Sequence, residues 1–406
     1  MAAGARGTEI LIVGGGIAGC STAYHLASYG HAVTLVERGE IAGAASGLNA
    51  GLIDCVGWSD RRDLQDHLTA GSVELFERAQ LEEGEDCEFR RSGSLQAIHT
   101  PEQHEFTRRR VADMQSHGQR VEVIATREAR TLEPGFSPAL LGAMYSPLRA
   151  QADPVKGTRA FATLAVRQGA RIFAGHAVTA LGPRAGGGWS ARTAQRAFDA
   201  DVLVLAAGAW CAALGVMLGL DIPIVPVRGQ MWASAATAPA VFQTISAAES
   251  AHHWAHDPGV DPPNLTMRDG RRLTRHLYGR QRRNGEIIFG GDRECVGENT
   301  TPEPGGIKVN HAHAASVLPF LVNLPIARTW AGLMPFPRDG RPLIGRLPGR
   351  DNCWIVSGLA SSGFGRGPMA GKLLADSVHA GTPLSILAEA DPAGRVRERG
   401  TGRGPT

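Results

Sequence analysis

The stretch EILIVGGGIAGCSTAYHLASYGHAVTLVERG, from Glu9 to Gly39, decides the fold. Its first apolar run, Ile10 to Val13, is typical of a buried parallel strand. Three glycines follow, and a helical pattern then runs from Ile17 to Ser28, with Gly30 placed where a helix commonly ends. The letters AVTLVE begin a second strand. The sequence therefore predicts a strand–helix–strand unit whose two strands lie parallel in one sheet.

The glycines of this stretch predict a dinucleotide site. Gly14, Gly16 and Gly19 follow a strand and open a helix, and Glu37 ends the next strand. In this arrangement the first glycine permits a tight turn, the second lets the backbone approach a pyrophosphate, and the third lets the helix pack against the strand. The start of the helix favours the anion, and the acidic residue binds a ribose diol, which disfavours NADP. The alternative is a purely structural glycine turn.

The loop GEIAGAASGLNAGLI (39–53) favours FAD over NAD. Its small residues allow the backbone to lie close against a flat ring and a diphosphate, whereas a plain NAD domain normally runs on into another helix and strand. The letters AAGAW (206–210) also put a glycine at a strand end, which suits a close approach to adenosine.

The rest of the chain alternates between two textures. Apolar strands are predicted in ADVLVLAAGAW (200–210) and NCWIVSG (352–358), whereas residues 276–292 have the pattern of a hairpin with its turn at RNG. We therefore predict an α/β protein, with a Rossmann-type FAD-binding domain and a second, mainly antiparallel α+β substrate domain. The predicted boundaries give 1–85, 150–222 and 328–390 to the FAD-binding domain, 86–149 and 223–327 to the substrate domain, and 391–406 to a disordered tail.

Composition and charge exclude several functions. The 406 residues carry a formal net charge of +3, which is too small for an electrostatic case for nucleic acid. The six cysteines are widely spaced and show no ligand spacing, so we predict no metal site and a reducing, cytoplasmic compartment. No apolar run approaches the length of a membrane span, and the N-terminus lacks a signal-peptide pattern, while peripheral membrane association stays open.

The segment TWAGLMPFPRDGRPLIG (329–345) is apolar and yet rich in proline and glycine. Proline removes a ladder hydrogen bond, which disfavours a central strand in this segment. We therefore predict a buried, turn-rich crossing from the substrate domain back to the FAD-binding domain, passing beside the cofactor.

These motifs, with ASGLNAG (45–51), PVRGQM (226–231) and SGLASSGFGRGPMAGKLLAD (357–376), resemble the family of FAD-dependent amine and amino-acid oxidases that includes D-amino acid oxidase, glycine oxidase and sarcosine oxidase. They are also similar to the flavin-bearing subunits of heteromeric dehydrogenases. The resemblance implies oxidation of the C–N bond of an amino acid or secondary amine to an imine by hydride transfer to flavin N5. It leaves the acceptor as O2 or an electron carrier, with a partner subunit in the second case. It also implies non-covalent FAD, because the position of the flavin-linked cysteine of sarcosine oxidase falls near Gly332.

The resemblance assigns cofactor contacts residue by residue. The glycine turn and the acidic strand end hold the ADP part, the loop after them follows the ribose and diphosphate, and two later segments meet the adenosine and the flavin. The predicted set is Gly14, Gly16, Ile17, Ala18, Gly19, Glu37, Arg38, Ala45, Ser46, Asn49, Ala50, Gly51, Val178, Ala206, Gly208, Trp210, Gly363, Phe364, Gly365 and Arg366.

The predicted substrate pocket departs from the family pattern. Relatives that act on simple amino acids commonly bind the carboxylate with an arginine at the position of Met334 and carry a second basic residue at that of Ser361. The resemblance places Tyr278 in the pocket, because it matches a tyrosine that lines the active site of glycine oxidase-like relatives. We hypothesise that Arg280 contacts an anionic or polar substrate group instead, because strand alternation puts it on one face with Tyr278. Met334 either faces a larger, more apolar substrate or only packs. The HHW run (252–254) is a candidate cap or a surface loop.

Two other functions stay open at this point. The same fold serves dehydrogenases of 2-hydroxy acids, and a flavin-binding assembly or interaction protein without turnover would share the cofactor motifs. An amine that bleaches the bound flavin would distinguish C–N oxidation from both.

Overall fold

The computed structural model describes residues 8–53, 62–249, 266–268, 271–274 and 276–399. The strands are β1 (Glu9–Val13), β2 (Ala32–Val36), β3 (Leu52–Ile53), β4 (Ser94–Ile98), β5 (Glu122–Ile124), β6 (Gly142–Ser146), β7 (Ala150–Gln151), β8 (Arg171–Phe173), β9 (Val178–Pro183), β10 (Trp189–Thr193), β11 (Ala197–Ala200), β12 (Val202–Leu205), β13 (Leu220–Asp221), β14 (Ile224–Ala236), β15 (Thr244–Ala247), β16 (Thr266–Arg268), β17 (Arg271–Thr274), β18 (Tyr278–Gln281), β19 (Glu286–Gly290), β20 (Arg293–Glu294), β21 (Ile326–Pro337), β22 (Leu343–Arg346), β23 (Cys353–Ser357) and β24 (Arg397–Glu398). The helices are α1 (Ile17–Ser28), α2 (Arg62–Leu81), α3 (Pro101–Ser116), α4 (Thr126–Leu132), α5 (Pro154–Arg167), α6 (Cys211–Met217), α7 (Pro304–Val317) and α8 (Gly363–Ala380), with 3-10 turns at Gly208–Trp210, Pro319–Asn323, Ala360–Ser362 and Ser385–Ala390.

The strand–helix–strand unit lies at the centre of a sheet with the order β22-β23-β12-β1-β2-β8, called here the parallel sheet. All its neighbouring strands run parallel except β22, which is antiparallel to β23. Successive residues of β1 point to opposite faces. Ile10 and Ile12 join a core with α1, α2, α5 and α8, whereas Leu11 and Val13 join a core with β9–β11 and α6. Because both faces are buried, the strand shows a continuous apolar run, and the predicted α/β fold class is confirmed.

A second sheet, called here the large sheet, has the order β16-β17-β20-β14-β19-β18-β15-β4-β6-β5, and β21 pairs with β14 beside this path. The long strand β14 is its spine, because β19 and β20 pair along one side and β21 along the other. The predicted hairpin is β18–β19, with Arg280 opposite Ile288. Its turn closes where the Gly285 N–H donates to the Arg282 carbonyl at 3.0 Å.

The prediction of a turn-rich crossing at 329–345 is wrong for its first part, because Ile326–Pro337 forms one continuous strand, β21. Within the described ranges β21 pairs with β14 alone, so its prolines interrupt no ladder on a second side. Pro335 also lies opposite Pro226, where neither residue has an N–H to donate. The strand therefore belongs to the large sheet, whereas the predicted domain division gives residues from 328 onward to the FAD-binding domain.

The predicted disordered tail is also wrong over the part that the structure describes, residues 391–399. There β24 pairs with β13, and the Arg350 guanidinium binds the Glu398 carboxylate at 2.7 Å. The rest of the predicted domain division stays a prediction, and the HHW run at 252–254 lies outside the described residues. Of the described helices, none is long and apolar enough to cross a membrane.

Candidate active site

A cavity of about 360 Å³ lies where the parallel sheet meets the large sheet. Its wall takes in the turn after β1, the loop at 44–49, the segment from 206 to 217, one residue of β18, the middle of β21 and the start of α8. The volume is within the range of about 300–1,000 Å³ that small-molecule and cofactor sites usually have. Residues from distant parts of the chain therefore converge on one space.

The glycine turn after β1 forms one end of this cavity. Gly14 has φ 122°, and a Cβ added there would lie 2.4 Å from the Ala206 carbonyl oxygen. A Cβ on Gly19 would lie 2.1 Å from the Gly14 oxygen, so α1 packs directly against the turn. A Cβ on Gly16, by contrast, would meet no backbone atom within 4 Å but only the Ser46 side chain, at 3.0 Å, and Gly16 itself lines the cavity. The turn thus leaves its backbone open to a ligand.

Polar side chains beside the turn fix its shape. The Glu37 carboxylate accepts from the Gly15 N–H at 2.7 Å and from the Gly39 N–H at 2.9 Å. The Ser46 hydroxyl accepts from the N–H of Ile17, the first residue of α1, at 3.0 Å. These bonds position the end of β2 and the following loop around the start of α1.

Arg38 and Trp210 face each other at the same end of the cavity. The Arg38 guanidinium carbon lies 3.6 Å from the centroid of the Trp210 ring, a cation–π contact. The indole N–H of Trp210 donates to the Glu298 carboxylate at 3.2 Å. Both residues line the cavity, so the stacked pair forms part of its wall.

The loop at 44–51 is held both from within and by the large sheet. The Asn49 amide donates to the Ala45 carbonyl at 2.9 Å, and its oxygen accepts from the Gly51 N–H at 2.7 Å. The indole of Trp330, on β21, donates to the Leu48 carbonyl at 2.9 Å. The loop is therefore positioned before any ligand arrives.

The structure does not support the hypothesis that Arg280 contacts substrate. Its side chain is 1% exposed and does not belong to the cavity wall. The guanidinium instead donates to the Ala50 carbonyl, to Gln151 Oε1 at 3.1 Å and to the Ala152 carbonyl at 3.0 Å. Burial lowers its pKa to about 10, so it stays cationic at neutral pH. Arg280 ties β18 to the loop, and Ala50 and Gly51 lie at that junction rather than in the wall.

The cavity wall contains most of the residues that the sequence assigns to the cofactor. These are Gly14, Gly16, Ile17, Ala18, Glu37, Arg38, Ala45, Ser46, Asn49, Val178, Ala206, Gly208, Trp210, Gly363 and Phe364. The predicted residues outside the wall are Gly19, Ala50, Gly51, Gly365 and Arg366. Arg366 donates to Thr69 Oγ1 at 3.2 Å and to Gln65 Oε1 at 3.3 Å, so it joins α8 to α2.

The opposite end of the cavity is mainly apolar and includes Tyr278, Met334 and Ser361. Burial raises the pKa of the Tyr278 phenol to about 12, although nearby Arg293 lowers it, so the hydroxyl is neutral and able to donate at neutral pH. Met334 is half-buried and packs beside Val227. Ala360, also in the wall, has φ 49°, an unfavourable conformation for a residue with a Cβ.

Sequence reasoning missed Arg293 and the cavity-lining residues His176 and Ala177. Arg293, on β20, is 1% exposed and donates from Nη2 to the Ser361 hydroxyl at 2.9 Å. Burial lowers the pKa of its guanidinium to about 9. In sequence Arg293 is one arginine in a chain with many, and no local pattern distinguishes it.

Comparisons with known proteins agree with this geometry. The family model described as DAO, FAD dependent oxidoreductase, matches residues 9–377. The glycine oxidase of Bacillus licheniformis is 28% identical over 91% of this chain and 92% of its own. The mitochondrial dimethylglycine dehydrogenase of Rattus norvegicus is 28% identical over 95% of this chain, which spans only 44% of that longer protein.

Solved structures share the fold. The crystal structure of glycine oxidase from Geobacillus kaustophilus has a TM-score of 0.82 at 24% identity and covers 95% of this chain and 98% of that one. The crystal structure of iminodiacetate oxidase from Chelativorans sp. BNC1 has a TM-score of 0.77 at 25% identity and covers 94% and 98%.

Proposed function

The chain belongs to the DAO family of FAD-dependent oxidoreductases, and from that premise we propose that it oxidises the C–N bond of an amino acid or secondary amine to an imine. The observation that carries the proposal is one continuous cavity, in which the glycine turn of the parallel sheet and Tyr278 and Met334 of the large sheet share a wall. The names glycine oxidase, dimethylglycine dehydrogenase and iminodiacetate oxidase support it, because each denotes action on an amine that carries a carboxylate.

The residues of the cavity fit FAD, the cofactor of this family. Gly16 leaves the space beside the turn free of a side chain, as a pyrophosphate requires. Glu37 stands at the strand end, where a carboxylate binds a ribose. Two helices, α1 and α8, begin at the wall, so their positive dipole ends lie beside the cavity. When bound, FAD supplies the acceptor for the hydride that leaves the α-carbon of the amine.

The protein's own part is to bind, orient and desolvate the amine. Leu333, Met334 and Pro335 form an apolar wall that excludes water from the reacting carbon. The neutral Tyr278 hydroxyl can donate to a substrate oxygen. In the described part of the wall at this end, Tyr278 is the one titratable side chain, and its hydroxyl is protonated at neutral pH. It therefore cannot take a proton from the amine. We expect the amine to bind already deprotonated, and kcat/KM to rise with pH through the amine pKa.

The remaining features of the proposal concern covalent attachment, the acceptor and the location. Non-covalent FAD is supported because no cysteine is among the described residues of the cavity wall. The described cysteines are all free thiols, which supports a reducing, cytoplasmic compartment. Reoxidation by O2 or by an electron carrier, with a partner subunit in the second case, completes the proposal.

Anaerobic reduction of the bound flavin tests the function. The purified holoenzyme is mixed without oxygen with a panel of amino acids, N-substituted amino acids and matched 2-hydroxy acids, and its visible absorbance is followed. We expect an amine to bleach the flavin and a 2-hydroxy acid of the same skeleton to leave it yellow. Admission of air then reports whether O2 reoxidises it. Bleaching by hydroxy acids alone, or by no compound of the panel, would overturn the proposal.

A further inference from the structure

We propose that Glu298 is a positioning residue for FAD, which holds the contact between Arg38 and Trp210 closed beside the glycine turn and thereby slows release of the cofactor. These three residues are called here the clamp. Arg38 and Trp210 follow strands of the parallel sheet, whereas Glu298 lies in the loop between β20 of the large sheet and α7. The inference goes beyond the proposed function, because it concerns retention of FAD and holds whatever the substrate is.

The contact between Arg38 and Trp210 crosses the carboxyl end of β1. Arg38 follows β2, and Trp210 ends the 3-10 turn that follows β12. In the parallel sheet β1 lies between these two strands, and neighbouring strands are about 4.8 Å apart, so the two side chains together bridge about 10 Å. The glycine turn stands at this end of β1. The pair therefore closes the cavity wall beside the turn on which the phosphates of a dinucleotide rest.

The indole of Trp210 meets each partner with the part of the ring that suits its charge. An aromatic ring is electron-rich on its faces and electron-poor at its edge. The Arg38 guanidinium carbon lies over the face, 3.6 Å from the ring centroid, and the Glu298 carboxylate accepts from the N–H at the edge at 3.2 Å. Because an indole has a single N–H, this bond also fixes which way the ring is turned. Stacking uses the flat face of the guanidinium and leaves its N–H edge for a phosphate.

Glu298 acts through Trp210 and not on the cofactor. In the part of the chain that the structure describes, Arg38 and Trp210 belong to the cavity wall, and Glu298 does not. A carboxylate inside the wall would repel a diphosphate. The bond to the indole keeps the carboxylate at the ring edge, where its charge orients the clamp without facing the ligand.

The loop that carries Glu298 is tied to β14, the spine of the large sheet. The buried guanidinium of Arg228 donates to the Thr301 carbonyl at 2.7 Å and contacts the Glu303 carboxylate at 3.1 Å. The Glu303 N–H donates to the side-chain oxygen of Gln230 at 2.5 Å. Arg228 and Gln230 both belong to β14. Glu298 is therefore presented to the indole from a loop that is anchored three and five residues further on.

Release of FAD thus depends on a contact between the two sheets. A bond that does not touch a ligand still slows its departure when the wall has to open first. Because Trp210 is held by a loop of the large sheet, opening of the wall at Arg38 requires loss of the indole N–H bond or movement of the loop with it.

The test measures release of FAD from the purified holoenzyme without turnover. The holoenzyme is mixed with a large excess of an FAD analogue chlorinated on the isoalloxazine ring, whose absorbance differs, and the displaced FAD is followed after rapid gel filtration. For Glu298→Ala we expect the off-rate to rise about five- to tenfold, as for loss of one hydrogen bond to a charged acceptor near the surface. Glu298→Gln should stay within about twofold of the wild type, because the amide oxygen still accepts from the indole.

A double-mutant cycle tests the bond itself. Trp210→Phe keeps a ring for Arg38 to stack on but has no N–H, so it should raise the off-rate about as much as Glu298→Ala. The double variant Glu298→Ala/Trp210→Phe should release FAD no faster than the faster single variant, since both changes remove one bond. Thr300→Ala, at an exposed position of the same loop, is the matched control and should leave the off-rate unchanged. Urea unfolding of the flavin-free proteins should give the same midpoint for Glu298→Ala and the wild type, because Glu298 is exposed.

An off-rate of Glu298→Ala that equals that of the wild type overturns the inference. A Glu298→Gln variant as fast as Glu298→Ala also overturns it, because the charge and not the hydrogen bond would then act. The same holds if the effects of the two single variants multiply in the double variant, since the residues would then act separately. No substrate enters these measurements, so a protein that oxidises no amine still reports on the clamp, and a protein that oxidises amines with unchanged FAD release refutes the clamp alone.

Discussion

Replacement of Arg280 by methionine distinguishes a structural arginine from one that binds substrate. The variant leaves the Ala50 and Ala152 carbonyls without their donor in a buried junction, whereas Gln151 Oε1 keeps its bond from the Arg90 guanidinium at 3.2 Å. Each buried acceptor that loses its partner costs about 1–3 kcal/mol, and partial relaxation limits the sum. We therefore expect the free energy of unfolding to fall by about 3–5 kcal/mol, at the high end for a single substitution.

The assay is urea unfolding followed by circular dichroism and by flavin fluorescence, with FAD affinity and substrate KM measured in parallel. We expect FAD to bind more weakly, because the loop that carries Ala50 loses its tie to β18. We expect KM to change less than about twofold when FAD is saturating. Arg283→Met is the matched control, since its exposed ion pair with Asp86 contributes at most about 1 kcal/mol. A KM that rises sharply while the unfolding free energy stays within about 1 kcal/mol would refute the structural role and restore the hypothesis drawn from sequence.

Three other predictions concern the glycine turn, Met334 and the buried His25. Gly14→Ala should abolish FAD binding because its Cβ would meet the Ala206 carbonyl, whereas Gly182→Ala, with nothing within 4 Å, should retain the flavin absorbance. Met334→Ala should raise KM about tenfold for N-substituted amino acids and less than threefold for unsubstituted ones; equal effects would contradict a substrate-facing thioether. Burial lowers the pKa of His25 to about 4, so the unfolded chain binds its proton first and stability should fall by about 1.4 kcal/mol per pH unit between pH 6.5 and 4. His25→Phe should flatten that slope in urea titrations.

Local chemistry made the glycine turn after β1 and the bounds of α1 predictable. The glycine spacing requires positive φ at Gly14 and close packing at Gly19, and these demands are written in a few adjacent letters. Likewise α1 begins at Ile17 and ends at Ser28 as the helical pattern predicts, with Gly30 at φ 86° just beyond it. Such features depend on a residue and its near neighbours, so a single sequence suffices.

The errors came from contacts between distant segments. Pro335 is tolerated in β21 because Pro226 of the partner strand β14 lies opposite it, and no local pattern in the sequence contains this pairing. Arg280 was assigned to the substrate, yet its guanidinium hydrogen-bonds carbonyls of distant segments. An arginine has the same local signature whether it binds a substrate or a buried carbonyl, so its role depends on which acceptors the fold brings within reach.

The discontinuous parallel sheet also determines when the protein can mature during synthesis. Leu203 of β12 pairs with Cys353 of β23, and Gly371 of α8 packs against the Ala18 carbonyl of α1. While the ribosome is still translating the segment between β12 and β23, β12 has an open apolar edge and α1 lacks α8, the helix that covers it. We expect FAD capture to follow release of the chain, and nascent chains that stall before β23 to need a chaperone to stay unaggregated.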